Sequence, residues 1–437
     1  MKPTAMLELT ILDGLIPMKD ASSLCTGDID GDGRTEVVVG GDGCLLWYRP
    51  ETRERGVIGE GAFGVGLALE DVDGDGKLEV FAGKQPSTEE RNFLGFVMCY
   101  KPGADLREPW TARPICPSAP LRMHHDILFA DVDGDGRSEM VTAGRDGIYL
   151  YKPGADPAEE WSEIEICGGV FREGLRIGDP EIVCGPDWFK APAEGVFAGR
   201  WTRRTYAPSF REMCRTLIVD VTGDGRPDVV ALESEYLEGR LSWFENRDDG
   251  SGGIRWIEHP LAEDIVFGHT LQARKGDDGV LRIIAAEMEQ GGWNVPYNHD
   301  ARVIEFCTKD GSEWSSSVLF RGLGTHEAAL ADVDGDGEWE LIGKTWGYYD
   351  HNPKLQLWKP AAAGRTLPRA AHRFVDRDKP NVATDILAVD VDGDGLEDIV
   401  CGSWWYKSPD WERFTIPNVY QVFNAFDIDG DGRKELF

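Results

Sequence analysis

Asp28-Ile29-Asp30-Gly31-Asp32-Gly33-Arg34-Thr35-Glu36 is the stretch on which the reading of this chain turns. Carboxylates occupy its positions 1, 3, 5 and 9, and glycines at 4 and 6 permit the positive φ that a tight coil demands. Such a coil turns its oxygens inward, with the position-7 carbonyl as a further donor. Calcium, which tolerates six to eight oxygens, suits it better than magnesium. An EF-hand is excluded, because its last ligand is a Glu at position 12 and its loop joins two helices. Here the flanks read as strands, such as Leu128-Phe129-Ala130 before the third copy and Met140-Val141-Thr142 after it.

The loop recurs. Beyond Asp28, Asp30, Asp32 and Glu36, the candidate ligands are Asp71, Asp73, Asp75 and Glu79; Asp131, Asp133, Asp135 and Glu139; Asp220, Asp224 and Asp228, with Thr222 in place of one acid; Asp332, Asp334, Asp336 and Glu340; Asp390, Asp392, Asp394 and Asp398; and Asp427, Asp429, Asp431 and Glu435. So many near-identical sites cannot all be one catalytic centre. The expected role is structural, with Ca2+ (or Mg2+) stapling the strand before each loop to the strand after it.

These loops also explain the charge. The chain of 437 residues has a net charge of −32, yet 27 of its 78 acids stand at the ligand positions of the loops. The remaining acidity argues against a nucleic-acid partner, which needs a basic face. Nine cysteines lack the paired short spacings of zinc or disulfide frameworks and read as small buried residues. The amino-terminal stretch has no apolar signal-peptide segment, and no run reaches membrane-spanning length. A cytoplasmic location is expected, or a secreted one if a leader has been removed.

Successive loops begin 43, 60, 89, 112, 58 and 37 residues apart, so the two longest gaps should each hide a repeat with a decayed loop. Gly178 to Phe189 and Gly268 to Ala286 fit that description. Each repeat reads as four short strands, the third carrying an aromatic followed by Lys-Pro or a similar turn, as in Val97-Met98-Cys99-Tyr100-Lys101-Pro102. Four antiparallel strands repeated in this way make the blades of an all-β propeller, here with seven or eight blades. Leu7-Glu8-Leu9-Thr10-Ile11 stands as a strand without a blade and is placed to close the ring, while the last repeat stops at Phe437. The expectation is one propeller domain over residues 1–437, incomplete in its final blade.

The loops and repeats together resemble the FG-GAP or VCBS family of calcium-loop propellers over nearly the whole chain. That resemblance implies the fold and leaves function open, since such propellers serve as adhesion modules, lectins and enzymes.

Candidate chemistry lies at the other end of the innermost strands. His125 and His326 each stand six residues before the first Asp of a loop, and His269 occupies the matching place in a decayed repeat. Three imidazoles at one structural address should converge at the mouth of the central channel, where they would transfer protons or merely fill a wet channel. His124 flanks His125 and would orient it. Loops on the same face carry Trp293, Tyr297 and His299; Tyr348, Tyr349 and His351; and Trp405, rings suited to stacking on sugars, while Trp404 and Tyr406 beside the last suit packing between blades equally well. Arg122, Lys84 and Lys344 border this face and would hold an anion.

The set is similar to that of propeller polysaccharide lyases acting on ulvan and rhamnose-glucuronate linkages, and to the propeller part of aldos-2-ulose dehydratase. It implies β-elimination on a uronate saccharide or keto-sugar, with His125 or His269 as base, Tyr297 or Tyr348 as acid, and Arg122 pairing the carboxylate. A carbohydrate-binding propeller, a propeller rhamnosidase and a protein-interaction platform are the alternatives.

Overall fold

The structure is a computed structural model that describes residues 6–86, 94–169, 173–178, 181–251, 253–288, 299–347, 353–361, 375–376, 378, 386–422, 425–426 and 435–436. The chain separates into two compact units, Met1–Arg365 and Thr366–Phe437.

The first unit is a ring of seven four-stranded antiparallel blades. The first blade runs from Ala21–Gly27 through Glu36–Arg49, which bends at Gly41 to serve as two strands, into the first half of Glu54–Glu70. The second half of that strand begins the second blade. The repeats hidden in the long gaps are the fourth blade, Leu175–Gly178 to Thr202–Thr205, and the sixth, Gly268–Lys275 to Ser315–Gly322. The seventh takes Glu327–Ala331, Glu340–Lys344 and Leu355–Pro360 from one end of the unit and its outer strand, Leu7–Asp13, from the other. The amino-terminal strand thus closes the ring, pairing with the repeat that contains Asp332 and not with the last repeat of the chain.

Burial on both faces explains why the second strand of each blade is apolar without alternation. Val37 and Val39 pack with Ile342 and Leu357 of the seventh blade, whereas Val38 packs with Val80 of the second. Val229 faces the fourth blade and Val230 the sixth. Successive side chains of a strand point to opposite faces, so each strand feeds the apolar layers on its two sides. The innermost strands pack side by side around the ring, with Glu327–Ala331 against Ala21–Gly27 completing it.

The second unit contains a further four-stranded sheet, Ile386–Val389, Asp398–Cys401, Trp404–Lys407 and Glu412–Thr415, and the pair Ala425–Phe426 with Glu435–Leu436. Val389, Val400 and Val422 form its core. Among the described residues no helix is long and apolar enough to cross a membrane, and none of the cysteines is in a disulfide.

Candidate functional site

The first residues of the innermost strands meet in a buried cluster of charges. His125, His269 and His326 are 8%, 2% and 4% exposed. The rings of His269 and His326 stack with centroids 4.0 Å apart, and Trp346 stacks on the far side of His326 at 5.2 Å. His125 Nδ1 lies 3.0 Å from Asp126 Oδ1, and its Nε2 lies 3.4 Å from Glu173 Oε2. Neither oxygen of Glu173 has a hydrogen-bond partner although the residue is fully buried.

Arg215, the second residue of its strand, links the two halves. Its Nη1 is 3.6 Å from Asp126, and its Nη2 donates to His269, 2.6 Å from Nε2 and 3.0 Å from Nδ1. Glu235 Oε1 completes the group 3.6 Å from His269 Nε2. Glu235 has a φ of 61°, a left-handed conformation that costs a non-glycine residue on the order of 1 kcal/mol and is held by the bond from its N–H to the Gly268 carbonyl. Lys344, fully buried, donates to the Ala21 carbonyl at 2.7 Å and to His326 Nδ1 at 2.5 Å.

These surroundings push the groups apart in acidity. Burial, then the charges of Arg215, His326 and Lys344, holds His269 well below the usual imidazole value, so it is neutral near pH 7. Burial also works against protonated His125, but the hydrogen bond and charge of Asp126, with Glu173, bring it above its ordinary value. Burial, reinforced by Glu173, raises the Glu235 carboxyl to about 7. A neutral imidazole, a proton-rich imidazole and a carboxyl poised near neutrality are the components of acid–base chemistry.

The structure therefore gathers the three histidines and Lys344 and sends other candidates elsewhere. Arg122 pairs with Glu163, at 2.5 Å and 2.9 Å, and lies over the Tyr149 ring at 3.9 Å, reaching His124 only through its charge. His124 lies on the connection between Arg122–Met123 and Asp126–Ala130, its Nδ1 3.3 Å from Thr142 Oγ1; burial lowers it to about 3. His299 faces Glu287 at 3.6 Å, and Lys84 lies over the Phe63 ring at 5.6 Å. Trp405 belongs to the second unit, stacked on Phe414 at 4.7 Å. Trp293, Tyr297, Tyr348, Tyr349 and His351 lie outside the described residues, as do Asp427, Asp429 and Asp431; of Glu435 only the backbone is described.

Arg215, Glu173 and Glu235 were missed in the sequence. Arg215 carries a usable signal, since it stands five residues before Asp220, next to the address of the histidines. The two glutamates lie on connections and have no such signal.

One oxygen of Glu235 and one ring nitrogen each of His269 and His326 lie within 4.8 Å of one another, a spacing that a metal ion spans. Their lone pairs are already engaged, however: Arg215 donates to His269 and Lys344 to His326. A metal ion would have to displace both cations, so the donor set does not fit one as it stands.

The loops lie at the opposite ends of the same innermost strands. The position-1 carboxylate caps the coil: Asp71 accepts the N–H groups of Gly74, Asp75 and Gly76. The position-9 carboxylate ties the coil to the following strand, as Glu79 does by accepting the Val72 N–H. Among sequence families, the model of an FG-GAP-like repeat matches residues 28–82, from the first loop through the strand after the second. This chain carries an FG-GAP-like repeat in a β-propeller fold. No curated protein matches it. Among solved structures, the FG-GAP propeller is similar to a chain of a mitotic checkpoint complex, with 9% identity and a TM-score of 0.50, over 82% of this chain and 92% of that one. A second is a lectin of Agrocybe aegerita that recognises non-reducing terminal N-acetylglucosamine, with 12% identity and a TM-score of 0.43, over 81% and 85%. The first likeness speaks to fold alone.

Proposed function

We propose that this propeller is a carbohydrate-active carbon–oxygen lyase that performs β-elimination on a uronate-containing saccharide or keto-sugar at the buried cluster. The observation that carries the reading is the convergence of His125, His269, His326 and Glu235 on two side-chain cations, Arg215 and Lys344. Elimination needs a base to take the proton α to a carbonyl, a positive group for the enolate-like oxygen, and an acid for the leaving oxygen.

The Glu235 carboxylate serves as base, or neutral His269 does once the substrate's developing oxyanion draws Arg215 away from it. Arg215 and Lys344 supply the positive charge that Arg122 was expected to give, and His125, held toward its protonated form by Asp126, donates to the leaving group unless Tyr297 or Tyr348 does so. Sugar specificity rests on the aromatic loops containing Trp293, Tyr297, Tyr348 and Tyr349.

Elimination leaves a conjugated double bond, so its ultraviolet absorbance is the assay. Incubation with uronate polysaccharides, rhamnose-capped glucuronides and anhydro-keto-sugars should raise it for at least one of them. His269→Gln should slow turnover by about 10²-fold or more while leaving binding in place. A flat trace with sugar still bound would make the protein a binding propeller, and release of sugar without the double bond would make it a hydrolase.

A further inference from the structure

What neutralises the loop carboxylates is already in the chain. In the first blade Arg49 reaches across from the third strand, its Nη2 2.5 Å from Asp30 and 3.4 Å from Asp32 and its Nε 2.8 Å from Glu36. In the second, Lys101 Nζ contacts Asp73 and lies 2.7 Å from Asp75 and 3.2 Å from Glu79. In the third, Lys152 contacts Asp133 and lies 2.7 Å from Asp135 and 3.1 Å from Glu139. Lys359 pairs with Asp334 and lies 4.0 Å from Glu340, and Lys407 pairs with Asp392 and lies 2.8 Å from Asp394. Each cation touches carboxylates at positions 3, 5 or 9, the oxygens a bound metal would use.

The repeats contain their own control. Register sets four of these cations directly after an aromatic that faces the residue following position 9: Tyr100 opposite Val80, Tyr151 opposite Met140, Trp358 opposite Leu341 and Tyr406 opposite Ile399. In the fifth blade Phe244 faces Val229, and the next residue is Glu245, which bonds Arg247 at 2.6 Å and His259 at 3.0 Å. That blade is also the one with Thr222 in place of the position-3 acid. The acid and the cation are thus kept together in five loops and lost together in one. A loop built for a divalent ion alone has no use for a second positive charge against its ligands.

We propose that in these five loops the Lys or Arg of the third strand is the resident cation and takes the place of calcium, so that the loops hold their shape without a divalent ion. A tethered ammonium pays no translational entropy on docking and is present at high effective concentration, whereas a calcium ion must first displace it. The inference is independent of the reaction assigned to the buried cluster.

Calcium counted on the whole chain by equilibrium dialysis at about 10 μM free ion, where sensor-type sites fill, tests this directly. The expected count is at most two per chain, for the Asp220 and Asp427 loops. Three or more ions would overturn it. A Lys101→Met, Lys152→Met double variant keeps the apolar stems and empties two cages, so its count should rise by two. A count that stays at the wild-type value would show that the ammonium groups do not hold the metal's place.

Discussion

The two ends of the innermost strands handle charge in opposite ways. At the loop end, carboxylates repeat from blade to blade, those at positions 1, 3 and 5 at least partly exposed, and in five loops the set meets its own Lys or Arg. At the other end the charges are buried, drawn one or two per blade, and incompletely satisfied, with both oxygens of Glu173 unbonded. Repetition with full pairing marks a device that holds the fold. Unrepeated burial with strain at Glu235 marks the place for which we propose chemistry.

If that contrast holds, equivalent substitutions at the two ends must differ in size. Arg215→Ala should cost about 3–5 kcal/mol by chemical denaturation, because it leaves Asp126, Glu173 and Glu235 buried without their shared cation. A cost below about 1 kcal/mol would mean that water already reaches the cluster.

An intermediate effect is expected at His124. The folded state keeps it neutral down to about 3, while the unfolded chain protonates it below its ordinary 6.5. The unfolded state then binds the extra proton, so stability falls as pH drops from 6.5 toward 3, by about 1.4 kcal/mol per pH unit from this group. His124→Gln should remove that share of the slope in denaturation curves taken between pH 6.5 and 4.5, and an unchanged slope would place the acid sensitivity elsewhere.

The smallest effect belongs to the loops. Lys101 is about one-third exposed, so its ion pairs are screened, and Lys101→Met should cost no more than about 1 kcal/mol in calcium-free buffer. A loss as large as that of Arg215→Ala would erase the distinction between the two ends.

Much of the ring was readable because its signals are local and repeated. The acidic coils, the aromatic of each third strand and the stray amino-terminal strand are all sequence patterns, and the two decayed repeats follow from spacing. The histidines were found because one offset from the loops fixes one height along the innermost strand. Arg122 misled because it lies just before a strand, where local sequence does not say which way the side chain turns; it turned to Glu163. Glu173 and Glu235 reach the cluster from connections whose paths depend on neighbouring blades. The lysine of each Lys-Pro turn read as punctuation, and only the register of the third strand reveals its contact with the preceding loop.

Ring closure by Leu7–Asp13 also has a bearing on how the molecule is made. A ribosome releases this strand before the rest of the first unit, but its partner, Leu355–Pro360, emerges only after six other blades have been synthesised. Until then Leu7–Asp13 carries unpaired backbone edges, the kind of surface that joins to a neighbouring chain if it is left waiting. The clasp is therefore the step at which slow translation or crowded expression would turn a nascent ring into an aggregate or a strand-exchanged pair.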